Sequence, residues 1–348
     1  MGAYDPFTRG AFPVGVRTLQ PQRDERVPPL ELWYPTTDEH AGRDVDPATR
    51  DTYDLIPGFP PTWQDAVRDT PIRPGRYPLV AFSHGYGGHR RQSTFLCTHL
   101  ASHGYVVAAV DHTGNTILDV MQLVLALQSG GQPPAGNPAA FIELRPADVS
   151  FAIDSVLADF ATSVDPARVG MAGHSFGGWT TLATVARDRR IRAALPLAPA
   201  GGASPLPVEP LRAALDFRWG REVPTLFIVA DRDTLLPLPG MHELLERTPG
   251  TKRMVVIKNA DHMHFCDRVE EVHELFRLMP VDPLFAPLQP SVPPITELCP
   301  GGHSQATIRG LGLAHMDAHV RGVEAAARFL AGDVRAALGA RGIAVDVV

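Results

Sequence analysis

Short, continuous apolar runs punctuate the middle of the chain, and between them apolar residues recur at helical spacing. Residues 77–82 (YPLVAF), 105–110 (YVVAAV), 169–172, 193–197, 225–230 and 253–257 are apolar and β-branched with few polar interruptions. Runs of that length without alternation predict strands buried on both faces. Residues 92–103, 147–160 and 176–187 predict helices. In the second of them Val149, Ile153, Val156 and Leu157 share one face. Gly104 stands where the first of them needs a C-cap. Residues 311–330 predict a long final helix, and residues 13–19 and 30–34 a pair of antiparallel edge strands. Strands alternating with helices mean a mainly parallel central sheet with helices on both faces, an α/β fold.

Two stretches break the alternation. Residues 115–144 hold an apolar helical part (117–127) followed by the loop GGQPPAGNP, and residues 267–305 are rich in proline and leucine. Long insertions inside a compact unit serve as lids, pocket walls, oligomer contacts or surface decoration. No internal repeat and no linker divides the chain. Residues 1–348 therefore read as one domain with insertions near 115–144 and 267–305.

Composition narrows the function classes. Lys and Arg number 32 against 38 Asp and Glu, for a formal charge of −6. A mildly acidic chain without a basic cluster is a poor nucleic-acid binder. No apolar run reaches the roughly 18–20 residues of a membrane span; the nearest, 116–127, is interrupted by Asp119 and Gln122. The 34 prolines and 31 glycines are spread along the chain and mark turns and structured loops rather than a low-complexity tail. Cys97, Cys266 and Cys299 have no metal-ligand spacing and read as reduced thiols, with a Cys266–Cys299 bridge as the alternative. The first residues lack the basic start and apolar stretch of a leader, which fits a cytoplasmic protein or a secreted one with its leader removed. Nothing in the pattern fixes an oligomeric state.

The chemistry concentrates in Gly173-His174-Ser175-Phe176-Gly177-Gly178, which follows a short apolar run and opens a helical one. G-x-S-x-G between strand and helix predicts a nucleophile elbow: glycines two positions away make room for a sharp turn that lifts the serine hydroxyl above the sheet. A serine hydroxyl needs a base and a group to orient that base, here expected in the order serine, acid, histidine. Asp231-Arg232-Asp233 follows one strand and Asp261-His262-Met263-His264 the next, both at carboxyl ends where α/β sites assemble. Asp233 is the expected acid, with Asp231 as alternative, and His262 the expected base, with His264 as alternative. No third ligand with recognisable spacing accompanies His262 and His264, so no metal is expected. An oxyanion hole needs two backbone N–H groups. Phe176 supplies one, and Tyr86, in Ser83-His84-Gly85-Tyr86-Gly87-Gly88, the other. Tyr86, His174 and Phe176 are the residues expected to touch substrate. His315 and His319 stand four apart without a zinc-protease glutamate and read as packing histidines; Asp111-His112 reads as loop hydrogen bonding. Trp33, Trp63, Trp179 and Trp219 form no stripe and read as core or rim.

Taken together, YPLVAFSHGYGG, LASHGYVVAAVDHTGNT, RPADVSFAID, VGMAGHSFGGWTT, PTLFIVADRDTLLP and NADHMHF resemble one branch of the α/β-hydrolases. It holds platelet-activating-factor acetylhydrolases, dienelactone-hydrolase-like proteins and cutinase-type polyester hydrolases. The resemblance covers about residues 77–267. It implies a serine ester hydrolase working through an acyl-enzyme, with Ser175 as nucleophile, Asp233 as acid, His262 as base, the Tyr86 and Phe176 amides as oxyanion hole, and no cofactor. The implied substrate is a small- or medium-chain ester, lipid esters of the acetylhydrolase type included. A polyester is the alternative, and a non-catalytic binding protein a remote one. Three departures bear on the choice. Ala198-Pro199-Ala200 lacks the acid that animal acetylhydrolases place there. Ala200 stands where polyester hydrolases carry a groove-wall tryptophan. Ser175 replaces the cysteine of dienelactone hydrolase. The first leaves the acid's role to Asp233, as in the polyester hydrolases, and the third argues against dienelactone hydrolysis; Ala200 with the two insertions implies a covered pocket rather than an open polymer groove.

Overall fold

The structure is a computed structural model that describes residues 4–21, 28–56, 58–130 and 140–348. Most of the GGQPPAGNP loop lies outside the described residues.

The strands are β1 (Val14–Leu19), β2 (Leu30–Pro35), β3 (Asp51–Tyr53), β4 (Thr62–Gln64), β5 (Val67–Arg68), β6 (Tyr77–Ser83), β7 (Val106–Val110), β8 (Val164–His174), β9 (Ile191–Leu197), β10 (Thr225–Ala230), β11 (Lys252–Ile257) and β12 (Val345–Val347). The helices are α1 (Thr94–Ser102), α2 (Ile117–Gln128), α3 (Ala140–Asp159), α4 (Phe176–Arg187), α5 (Glu209–Ala214), α6 (Leu238–Arg247), α7 (Val269–Leu278), α8 (Gly301–Met316), α9 (Glu324–Ala331) and α10 (Val334–Gly339). Ten strands form one sheet in the order β12-β11-β10-β9-β8-β6-β7-β2-β1-β5. From β11 to β7 every pairing is parallel. Antiparallel neighbours close both ends, β12 on β11 and β2 on β7.

The expected class holds, and the two-residue period of the strands explains how. In β6, Leu79 and Ala81 enter the core under α3, α4 and α6, while Val80 and Phe82 enter the core under α1, α8 and α10. Each strand thus seals both faces, which leaves the carboxyl-end loops of β6, β8, β10 and β11 as the place for chemistry.

Several boundaries differ from the sequence reading. The long final helix does not form. α8 begins at Gly301, inside the stretch read as an insertion, and ends in a wide π-type turn over Asp317–Arg321. Gly322 then adopts φ 72°, a left-handed conformation that stops the helix. α10 and β12 follow where no element was expected. α3 starts seven residues early and keeps Pro146 inside it; the buried hydrogen bonds of Arg145, described below, anchor that turn against the lost backbone bond. His315 is buried with Nε2 on the Pro224 carbonyl at 3.2 Å, and its ring packs on His319 at 4.9 Å. All three cysteines are free thiols. Among the described residues no helix is long and apolar enough to cross a membrane.

Candidate active site

Ser175 joins β8 to α4 with φ 59° and ψ −117°, a conformation an L-residue adopts only under constraint. The constraint is on either side of it. The Ser175 N–H donates to the Leu197 carbonyl at 2.9 Å, and its own carbonyl accepts from Trp179 and Ala200, each at 3.0 Å. Glycine is required nearby: a Cβ on Gly177 would lie 1.9 Å from the Ser83 carbonyl oxygen, and one on Gly173 2.3 Å from that of Gly177.

His262 opens the short 3-10 turn after β11. Its Nε2 lies 2.9 Å from Ser175 Oγ and its Nδ1 2.8 Å from Asp233 Oδ2. A carboxylate can only accept, so Nδ1 carries the proton and Nε2 is left to accept from the serine hydroxyl. The second Asp233 oxygen accepts from the Leu235 and Leu236 N–H groups at 2.9 and 2.8 Å, which locks its rotamer. Burial pulls the His262 pKa down, but the charge and hydrogen bond of Asp233 and the charge of Asp261 outweigh it and hold the imidazole above its ordinary value. Asp261 accepts from the N–H groups of Thr234 at 2.8 Å and His262 at 2.7 Å, tying the loops after β10 and β11 together. Burial and the neighbouring Asp233 charge raise its pKa.

The two alternatives lie elsewhere. Asp231 pairs with Lys258 at 2.8 Å, away from the imidazole. His264 accepts the Asp261 N–H on Nδ1 at 3.1 Å and donates from Nε2 to the Cys299 carbonyl at 3.0 Å. Among the described residues no three His, Cys, Asp or Glu side chains converge as a metal ion would require.

The loop after β6 passes over Ser175. Gly85 donates its N–H to Gln92 Oε1 at 2.8 Å, and Gly87 turns the chain with φ 62°. Tyr86 lines the cavity and donates its hydroxyl to Asp282 Oδ2 at 2.8 Å while its ring meets Phe285 edge-on at 5.7 Å. Burial, then the Asp282 hydrogen bond and charge, raises the phenol's pKa. Phe176 needs a correction. Its ring is buried between Trp179, at 5.4 Å, and the Arg145 guanidinium, at 4.3 Å, and is not among the cavity-lining residues. Its backbone N–H, first in α4, lies outside the helix's own hydrogen bonds. His174 does border the cavity but is only 2% exposed; its ring stacks on Phe265 at 5.2 Å and leans on His262 at 4.7 Å. It is a backing for His262 more than a wall for substrate.

Ser175 and His262 border a cavity of about 540 Å³. One wall is α2, through Ile117, Val120, Met121 and Val124; a second is α7 and the segment after it, through Val272, Phe276 and Phe285. Both insertions therefore build the pocket. A third wall went unforeseen: the β3–β4 connection contributes Tyr53, Leu55, Ile56 and Phe59. Its signal in the sequence, scattered apolar residues among prolines and aspartates, has no periodicity.

Beneath the loop after β6 lies a second unforeseen feature. Arg145, fully buried, donates to Asn115 Oδ1 at 2.5 Å, Thr180 Oγ1 at 3.0 Å, Ser83 Oγ at 3.3 Å and the His84 carbonyl. Burial draws its pKa down to about 9, against the pull of Asp148. His112 Nε2 lies 2.9 Å from Ser83 Oγ and Nδ1 3.1 Å from Asp148 Oδ2. The Asp111-His112 pair is thus internal wiring: Asp111 holds the Arg90 N–H at 2.6 Å.

The comparisons with known proteins agree with this frame. The family model of platelet-activating factor acetylhydrolase, isoform II, matches residues 58–128. Cutinase est1 of Thermobifida alba is 31% identical over 194 residues, 53% of this chain and 53% of that protein. Platelet-activating factor acetylhydrolase of Cavia porcellus is 30% identical over 161 residues, 38% of this chain and 37% of that one. The chain therefore spans about half, or less, of the length of these curated relatives. A solved structure, a ferulic acid esterase from Streptomyces cinnamoneus, superposes with a TM-score of 0.60 at 26% identity, over 90% of this chain and 91% of that one. Sheet order, elbow and the structural match concur on an α/β-hydrolase fold, and the chain is similar in sequence to platelet-activating-factor acetylhydrolases and cutinases.

Proposed function

We propose that the chain is a serine hydrolase of small- to medium-chain carboxylic esters. The carrying observation is the hydrogen-bonded line from Ser175 through His262 to Asp233, ending at a cavity with apolar walls. Ser175 Oγ attacks the ester carbonyl as His262 Nε2 takes its proton. The Tyr86 and Phe176 amides hold the oxyanion. His262 then protonates the departing alcohol, and water, deprotonated by the same nitrogen, releases the acid. Asp233 keeps the imidazole in the tautomer that accepts and offsets the charge it acquires. The sequence of steps uses only groups of this chain and water.

Polyester hydrolysis is the second reading. Favouring it are the cutinase relatives and the exposed apolar residues on the pocket-forming segments: Phe59 is 61% exposed, Leu125 60%, Leu278 65% and Met279 54%. The cavity favours the first, because a polymer strand cannot be engulfed. A panel of p-nitrophenyl esters of rising acyl length, run beside a polyester film, decides between them. Turnover that peaks at short or medium acyl chains and exceeds film erosion is the expected result. Comparable rates on the film promote the polyester reading, and no turnover on either removes both.

A further inference from the structure

The two proposed oxyanion donors come from different loops, and both must be aimed at one point. The loops leave neighbouring strands, but the pairing of β6 with β8 ends at Ser83 and Gly173. Beyond that end, one side chain spans the gap. Gln92 Oε1 accepts the Gly85 N–H at 2.8 Å, and Gln92 Nε2 reaches His174 Nδ1 at 2.9 Å. Gly85 precedes Tyr86, and His174 precedes Ser175.

The chemistry of the donors settles the orientation of this amide. A backbone N–H can only donate, so Gln92 presents its oxygen to Gly85. Its NH₂ therefore faces His174 and donates, which requires an unprotonated Nδ1. A neutral His174 then carries its proton on Nε2. Burial, and next the charge of His262, hold the His174 pKa well below its ordinary value. The ring sits 4.7 Å from His262, where a second imidazolium would oppose the one that forms in the reaction.

The surroundings are shaped for the glutamine. It is 7% exposed. Its N–H donates to the His89 carbonyl and its carbonyl accepts from Asp267, both at 2.9 Å, so its backbone is pinned on both sides. A Cβ on Gly88 would lie 2.3 Å from Gln92 Oε1, and one on Gly85 3.3 Å from Ser175 Cβ. Two glycines in the loop thus make room for the amide and for its close approach to the elbow.

We propose that Gln92 is a positioning residue that locks the oxyanion loop to the nucleophile elbow through its single amide, and that it fixes His174 as the neutral Nε2–H tautomer. The catalytic half of this rests on the ester-hydrolase reading; the tautomer does not. The test uses the full chain and two variants. Gln92→Met keeps the length and loses both hydrogen bonds. Gln92→Glu keeps an acceptor for Gly85 but, ionised, has nothing to donate to His174. With p-nitrophenyl butyrate, Gln92→Met lowers kcat by roughly 10- to 100-fold, short of the 10²–10³ of deleting a donor outright, with KM within about threefold. Its affinity for a trifluoromethyl ketone, which mimics the oxyanion, falls by the same factor. Gln92→Glu recovers most of kcat and moves the His174 proton to Nδ1, read by ¹⁵N NMR of the imidazoles. A folded Gln92→Met with kcat near that of the parent, or with the loss in KM alone, overturns the proposal. Should Gln92→Met not fold, the parent spectrum decides: a His174 protonated on Nδ1 overturns the clamp. A parent chain that turns over no ester sinks the activity reading instead, and leaves the tautomer to decide the clamp.

Discussion

Among the described residues two Ser-His-Asp lines stand out, and they are nearly the same in length. Ser175, His262 and Asp233 are joined at 2.9 and 2.8 Å; Ser83, His112 and Asp148 at 2.9 and 3.1 Å. Everything around them differs. Ser175 sits at a strained elbow and borders the cavity. Ser83 ends a regular strand, and it, His112 and Asp148 are all fully buried. His262 faces two carboxylates that favour its charged form. The second line instead abuts the Arg145 guanidinium, which donates to Ser83 Oγ. Hydrogen-bond geometry alone does not make a nucleophile. Access is a further requirement, and of the two lines only the first borders the cavity.

Exchanging serine for alanine in each line gives the largest contrast. Ser175→Ala lowers kcat by on the order of 10⁶, the typical cost of losing the nucleophile, with the fold intact. Ser83→Ala keeps kcat within about tenfold but lowers stability by about 1–3 kcal/mol, since His112 and Arg145 lose a buried partner. Steady-state rates beside urea melts separate the two. A Ser175→Ala chain within tenfold of its parent would falsify the assignment.

The carboxylates divide in the same way, with a smaller effect on rate. Asp233→Asn costs roughly 10⁴ in kcat, because an amide can donate to Nδ1 and trap the wrong tautomer. Asp148→Asn acts on stability instead, by about 3–5 kcal/mol, as the buried Arg145 loses its nearby countercharge. Asp231→Asn, which disturbs only a contact with Lys258, leaves kcat within about twofold. If Asp231→Asn proves the more damaging of the three to kcat, the acid has been misassigned.

How much of this contrast was legible in the sequence depends on distance along the chain. The elbow is local: Gly173, Ser175 and Gly177 declare it within five residues. Asp233 and His262 follow from strand ends and the expected order serine, acid, histidine, and the structure joins them to Ser175 by hydrogen bonds. Gln92 was not legible, since in RRQST it reads as the start of a helix, and its partners are 7 and 82 residues away. The Arg145 network and the Tyr86–Asp282 bond, 196 residues apart, were invisible for the same reason. The final helix was misread because the apolar period continues through Gly322, whereas the backbone there does not.

The histidines sharpen the comparison through pH. His262 must be neutral to accept the serine proton, and its pKa is raised, so the acid limb of kcat/KM lies above the ordinary 6.5. His84, His89, His99, His174 and His315 are instead held neutral, their pKa values lowered first by burial. A lowered folded pKa contributes stability that is present above the unfolded value and lost as pH falls below it. Each of the five then costs stability as pH falls below about 6.5, until its own folded value is reached. His262 contributes in the opposite sense, stabilising below 6.5 and ceasing to do so as pH rises through its raised value. Denaturant titrations from pH 8 to 5 should therefore show stability falling on the acid side, and a flat profile would contradict the assignment of the buried neutral histidines.

The smallest effect concerns what reaches the first line and never the second. The cavity beside Ser175 is bounded by α2 and α7, and Val124 faces it from a helix with no fully buried residue. Val124→Trp adds volume where an acyl chain or alcohol would lie, without touching Ser175, His262 or Asp233. One methylene fitted or refused is worth about 1–3 kcal/mol in such a pocket. The variant should therefore leave acetate esters within about twofold and depress esters of longer chains by tenfold or more, so that the optimum shifts to shorter substrates. A uniform loss across the series would mean that α2 supports the oxyanion loop rather than measuring the substrate. No loss at any length would mean that the substrate lies over the β3–β4 connection instead, on the wall the sequence did not announce.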